Sequence, residues 1–148
     1  MTVMQRLICI VGFCAASVFA VGADPFAQSD AKPKTESKRP QINLKANPAS
    51  GMVPVRISAV AELKGGSDDF EEYYCPTIEW NWDDGTVSEA SNDCEPYESG
   101  KSQIRRRYTM MHSYRVGSHY RISFRLKQKD KVVGAASTVV QLLGGGPY

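Results

Sequence analysis

The sequence predicts an all-β fold, an antiparallel β-sandwich, and three observations carry that expectation. Apolar and polar residues alternate with period two in several separate segments, clusters of Gly, Pro, Asn and Asp divide those segments, and helical periodicity is missing from them. Short strands punctuated in this way bury their apolar faces by packing one sheet on another.

The elements follow in chain order. A short n-region ending at Arg6 precedes an almost unbroken apolar run over residues 7–22, closed by small residues. This is the pattern of an export signal over residues 1–23, cleaved after Ala23 or, as the alternative, after Ala20. The run is short for a membrane span and polar residues follow it directly, which disfavours the competing reading of an uncleaved anchor helix. Phe13 stands before Cys14 where lipid-attachment motifs place a small residue, so lipidation is not expected. Residues 24–40 are rich in Lys, Ser, Pro and Asp and hold little bulky apolar side chain beyond Phe26. Such a segment cannot offset its ordering entropy and is expected to be a disordered leader.

The sandwich is expected over residues 41–143, with a Gly-rich tail at 144–148. Ile42, Leu44 and Ala46 share one face of a first strand that stops at the Asn47, Pro48, Ala49, Ser50, Gly51 cluster. Val53, Val55, Ile57, Ala59, Ala61 and Leu63 then point one way and Arg56, Ser58 and Glu62 the other, which is a half-buried strand. A polar Gly-containing loop and the run Phe70 to Tyr74 lead into Cys75. Ile78, Trp80 and Trp82 lie opposite Thr77, Glu79 and Asn81 on the next strand, and Asp83, Asp84 and Gly85 break it, an Asp-Gly step supplying the positive backbone angles of a tight turn. Residues 88–102 read as polar and irregular. From Ile104 the chain is extended again; Arg106 falls on the nominally apolar side, so the inward face begins at Tyr108 and continues through Met110 and His112. Beyond the turn at Gly117, Tyr120, Ile122, Phe124 and Leu126 alternate with His119, Arg121, Ser123, Arg125 and Lys127, giving one dry and one wet face. Residues 132–143 form a β-branched closing strand.

Export would remove Cys9 and Cys14 and leave Cys75 and Cys94, an even pair in a compartment that permits oxidation. One disulfide is the economical reading, and closing a loop of roughly twenty residues would contribute about 3 kcal/mol. A catalytic thiol or half a metal site is the competing reading; two cysteines so far apart, with only His112 and His119 elsewhere, do not make a zinc pattern. The formal net charge is +2, too small in an exported protein to point to nucleic acid. Its distribution says more. Residues 62–98 hold many carboxylates against the single Lys64, and residues 101–131 hold many Lys and Arg against the single Asp130. The sequence leaves open whether the two blocks neutralise each other in the fold or form exposed poles.

These segments also carry a resemblance. The run WNWDDGT at residues 80–86 resembles the W-x-F-G-D-G-T signature of the polycystic kidney disease (PKD) domain family. HSYRVGSHYRISFRL at residues 112–126 is similar to that family's H-x-Y-x-x-x-G-x-Y-x-V-x-L segment, and NPASGMVPVRISAVA at residues 47–61 resembles its opening turn and strand. The residues that carry the motif are Trp80, Trp82, Asp84, Gly85, His112, Tyr114, Gly117 and Tyr120. Asp83 stands where the family usually has Gly, and Gly117 comes one residue early, while the Tyr114-to-Tyr120 interval is kept. The resemblance implies a seven-stranded immunoglobulin-like sandwich, generally extracellular and used for protein–protein or protein–carbohydrate contact.

Candidate sites compete with plainer roles. Trp80 and Trp82 could stack on sugars, but they share a strand face with Ile78, which favours core packing. Tyr73, Tyr74 and Tyr97, with Phe70, sit in or beside polar loops and are better candidates for ligand contact; covering the disulfide is the competing role. Asp68, Asp69, Asp83 and Asp84 offer hard oxygen ligands without a calcium-loop spacing, so no metal is expected, and Asp83 and Asp84 are read as orienting their turn. No cofactor is expected either. Arg121, Arg125 and Lys127 lie on one wet strand face and could form a stripe for an anionic polysaccharide, lipid headgroups or an acidic protein patch, against the alternative of a solvated edge that deters aggregation. Catalysis lacks a nucleophile with a neighbouring base and orienting group. The expected protein is therefore a secreted or periplasmic, non-catalytic binding or adhesion module that contacts an extracellular protein or polysaccharide, with no membrane span after signal cleavage. A structural subunit of an envelope or surface assembly is the alternative, and a small secreted hydrolase ranks below both.

Overall fold

The computed structural model describes residues 38–144. The export signal, most of the leader and residues 145–148 of the tail lie outside the described residues. The strands are β1 (Gln41–Asn47), β2 (Ser50–Met52), β3 (Val55–Lys64), β4 (Thr77–Asn81), β5 (Val87–Ala90), β6 (Arg107–Tyr114), β7 (His119–Gln128) and β8 (Lys131–Leu143), with one 3-10 turn at Glu71–Tyr73. They form two sheets, in the orders β1-β3-β6 and β2-β8-β7-β4-β5. The described chain is a β-sandwich of two mainly antiparallel sheets, as the alternation predicts.

Side-chain parity sets the inner faces. Ile57, Ala59, Ala61 and Leu63 of β3 and Tyr108 and Tyr114 of β6 meet Trp80, Ile122, Phe124, Leu126, Val140 and Leu142 from the other sheet. Trp80 and Trp82 are fully buried and stack 5.8 Å apart at 9°, and Phe124 closes on Trp80 at 4.6 Å. The tryptophan pair is thus the centre of the core and not a sugar platform.

Four expectations are corrected. β2 pairs with β8 in parallel, although every other pair is antiparallel. The chain leaves the first sheet at the Asn47-to-Gly51 cluster, lies briefly along the end of β8 and returns as β3, which raises the strand count from the implied seven to eight among the described residues. β5 overlaps the start of the segment read as irregular; it is four residues on a sheet edge with Val87 exposed, so no apolar alternation announces it. Ile104 is buried but precedes its strand, its N–H donating to the Asp68 carbonyl at 2.8 Å. Finally, residues 38–40 are not a loose leader end. Pro40 is buried, the Lys38 carbonyl accepts the Ser67 N–H, and the Arg39 guanidinium donates to the Tyr73 hydroxyl and the Val133 carbonyl.

Gly117 shows why the turn before β7 needs a glycine in this chain. A Cβ there would run into the backbone oxygens of Gly144 and Leu142 at the end of β8. Gly117→Ala is expected to destabilise the domain by about 1–3 kcal/mol through forced displacement of that backbone, read as a shift in the urea midpoint with an unchanged m-value.

Candidate functional site

The motif residues converge on one edge of the core. The turn after β4 places Asp83 and Gly85 at φ of 62° and 86°, and within it the Asp84 carboxylate accepts the Thr86 N–H at 3.0 Å and the Thr86 hydroxyl at 2.5 Å. Its other oxygen lies 2.6 Å from Nε2 of His112 on β6. His112 in turn stacks on Trp82 at 4.6 Å, and the Tyr114 hydroxyl donates to the Trp82 carbonyl at 2.8 Å. Tyr114 packs on Tyr120, whose hydroxyl donates to the Val116 carbonyl. Burial pushes the Tyr114 phenol up, so it remains a donor. The cluster ties the two sheets together, and these groups are occupied with one another.

Three carboxylates have a common electrostatic bias. Burial works to raise Asp84, but hydrogen bonds from Thr86 and His112 outweigh it and hold the carboxyl below its ordinary range. The Lys127 ammonium, with Arg125, does the same for Glu79, and the Ser67 hydroxyl for Asp69. Values depressed on folding mean that the stabilisation is present above the unfolded carboxylate range and is lost as pH falls through the folded values. Unfolding free energy is therefore expected to hold from pH 7 to about 5 and to drop below about 4. Urea titrations at stepped pH check this, and Asp84→Asn should flatten the acid limb.

A cleft opens at the end of the sandwich where β3 finishes and β4 begins. Cys75 and Cys94 form a disulfide that pins the 91–106 segment beside β4. The Tyr97 hydroxyl donates to the Asp69 carbonyl at 2.6 Å, and the Tyr74 hydroxyl to the Glu95 carbonyl at 3.0 Å, with the two rings edge-on at 5.6 Å. On one side of this pair lies a cleft of about 580 Å3 lined by Lys38, Ser67, Asp69, Phe70, Glu71, Glu72 and Tyr97. On the other lies a shallower hollow of about 410 Å3 that includes Tyr74, Glu95, Glu98 and Lys101. Both are more anionic than cationic.

The sequence-chosen ligand residues divide accordingly. Tyr97 lines the cleft and Tyr74 the hollow, both half-buried. Tyr73 is corrected: only 2% of it is exposed, because its ring packs by Gly134 and its hydroxyl serves Arg39. The basic stripe is corrected as well. Glu79 on β4 faces Arg125 on β7, accepting from it at 2.7 Å and from Lys127 at 3.0 Å, and Lys127 also reaches Glu89 at 3.4 Å. Arg125 and Lys127 are neutralised across the ladder, and of the three cations Arg121 alone makes no ion pair among the described residues. The acidic and basic blocks of the sequence thus meet each other in the fold.

One organising residue escaped sequence reasoning. Arg106 donates to the carbonyls of Leu63, Gly65 and Gly66 and to the Asp68 carboxylate at 2.6 Å, which fixes the loop that brings Ser67 and Asp69 to the cleft. The signal was its misfit, a charge at an apolar position.

The chain is similar to the solved PKD domain of an M14-like peptidase from Thermoplasmatales archaeon SCGC AB-540-F20, at 12% identity over 70% of this chain and 95% of that one, with a TM-score of 0.48. It is also similar to the CARDB domain of PF1109 from Pyrococcus furiosus. The solution structure of that domain gives 13% identity over 71% and 94% of the two chains and a TM-score of 0.45; its crystal structure in complex with di-metal ions gives 12%, 73% and 92%, and 0.44. These likenesses are of fold. No protein-family model matches the chain, and no curated protein does. Among the described residues no helix is long and apolar enough to cross a membrane.

Proposed function

We propose that the chain is an exported, non-catalytic binding module that engages an extracellular polysaccharide or protein through the cleft beside Tyr97. The observation that carries this reading is a concave site walled by aromatic and polar side chains and held by the Cys75–Cys94 bond. Ligand sites are concave and keep a few convergent polar groups among apolar ones. A disulfide between a strand approach and an otherwise irregular loop stiffens that wall, and its presence accords with an oxidising compartment. Asp69, Glu71 and Glu72 against Lys38 favour neutral hydroxylic or amino-bearing ligands over anionic ones, with Phe70 and Tyr97 as contact surfaces for a sugar ring or an aliphatic side chain. Tyr74 serves the adjoining hollow.

Binding of the purified, oxidised protein to arrayed neutral, amino and acidic glycans tests the reading. Tyr97→Ala or Phe70→Ala is expected to weaken the best neutral or amino glycan at least about tenfold, or ~1.4 kcal/mol. Affinity confined to acidic glycans, or indifferent to both substitutions, would overturn it.

A further inference from the structure

The four sheet edges among the described residues are not equally guarded. β2 has three residues, β5 has four including Glu89, and β1 carries Lys45 on its solvent side and packs against β8. Shortness, charge and covering are the usual protections of an edge. β6 is neither short nor covered, and its one arginine, Arg107, stands at its first position. The strand is eight residues long, contains no Pro, Gly or Lys, and pairs with β3 without a register shift.

The polarity of that edge can be read from one bond. The Leu63 N–H donates to the Arg106 carbonyl at 2.8 Å, so the backbone groups of Tyr108, Met110 and His112 turn toward β3 and those of Arg107, Thr109, Met111 and Ser113 turn away from it. Arg105 confirms the direction by donating to the outward Arg107 carbonyl at 2.9 Å. Thr109, Met111 and Ser113 remain, each offering an N–H and a C=O on the open side. Their side chains are exposed and uncharged.

Cations mark both ends of this strip. Exposed Arg105 and Arg107 stand at its start, Arg107 shared with Glu62 at 2.9 Å, and exposed Arg115 follows its end without an ion pair among the described residues. A second copy is a poor occupant. Antiparallel self-pairing centred on Met111 sets Arg107 opposite Arg115 at both ends, and like charges in register destabilise a pair. We infer that the free edge of β6 takes up, by strand addition, an extended segment of a partner protein with uncharged residues in its middle and carboxylates at both ends. Main-chain bonds would supply affinity and the flanking arginines direction and selectivity. This surface does not use the cleft and stands or falls apart from it.

The probe is a labelled synthetic peptide of alternating threonine and valine, nine residues long, with two glutamates at each end. Anisotropy titrations and amide hydrogen exchange followed by NMR on the whole protein give the readout. The amides of Thr109, Met111 and Ser113 are expected to exchange quickly in the free protein and at least tenfold more slowly with peptide, while those of Met110 and His112 do not change. A lysine-ended peptide, or one N-methylated on the residues facing the edge, should bind at least tenfold more weakly. Met111→Pro removes an outward N–H without touching the β3 ladder and should abolish binding, whereas Tyr97→Ala should leave it unchanged. Should Met111→Pro fail to fold, the N-methylated peptide decides the same point. Unchanged exchange at the three amides, equal binding of the lysine-ended peptide, or concentration-dependent protection without any peptide would each overturn the inference, the last by assigning the edge to a second copy.

Discussion

Trp82→Ala is expected to destabilise the domain by about 3–5 kcal/mol, the range for emptying a buried large aromatic site. Trp82 is fully buried, stacked between Trp80 and His112, and its indole N–H donates to the Ser88 hydroxyl at 3.0 Å. Truncation therefore opens a cavity, leaves a hydroxyl without its donor on β5 and removes the surface on which His112 rests. Urea unfolding measures the loss, and near-ultraviolet circular dichroism should lose the signal of the coupled indoles. Trp82→Phe, which retains most of the volume, should cost less. A loss under about 1 kcal/mol for the alanine variant would mean that the core relaxes around the vacancy.

Removing the disulfide comes next in size. Cys75 and Cys94 are separated by 19 positions, and the chain-entropy relation gives about 3 kcal/mol for a loop of that order. The double replacement by serine should show this as a lower urea midpoint. It should also weaken any cleft ligand more than thermodynamic stability alone explains, because the Tyr97 wall rests on the segment that Cys94 pins. Measuring affinity well below the melting temperature separates the two effects. Wild-type affinity in the serine variant would show that the tyrosine contacts suffice to hold the wall.

The inner faces of β3, β4, β6 and β7 were legible because each strand is wetted on one side, so Ile57 to Leu63 and Tyr120 to Leu126 announce burial by parity. β2 and β5 were not, since three or four residues on an edge bury too little to impose a pattern. The loops of the cleft were located by the cysteines and tyrosines around it, but which tyrosine faces solvent depends on Arg39 and Gly134, distant in sequence from Tyr73. Charge was the least legible quantity. Glu79 and Lys127 belong to opposite blocks of the sequence and become neighbours only through the register of β4 with β7.

The placement of β2 against the final strand sets an order of events during biosynthesis. Its partner residues, Gln141 to Leu143, are nearly a hundred positions downstream, so the second sheet cannot close until almost the whole domain has left the ribosome. Contacts of such long range form late and slowly. The first sheet has all its strands by Tyr114, whereas the second, and with it the sandwich, can be completed only when the last strand arrives.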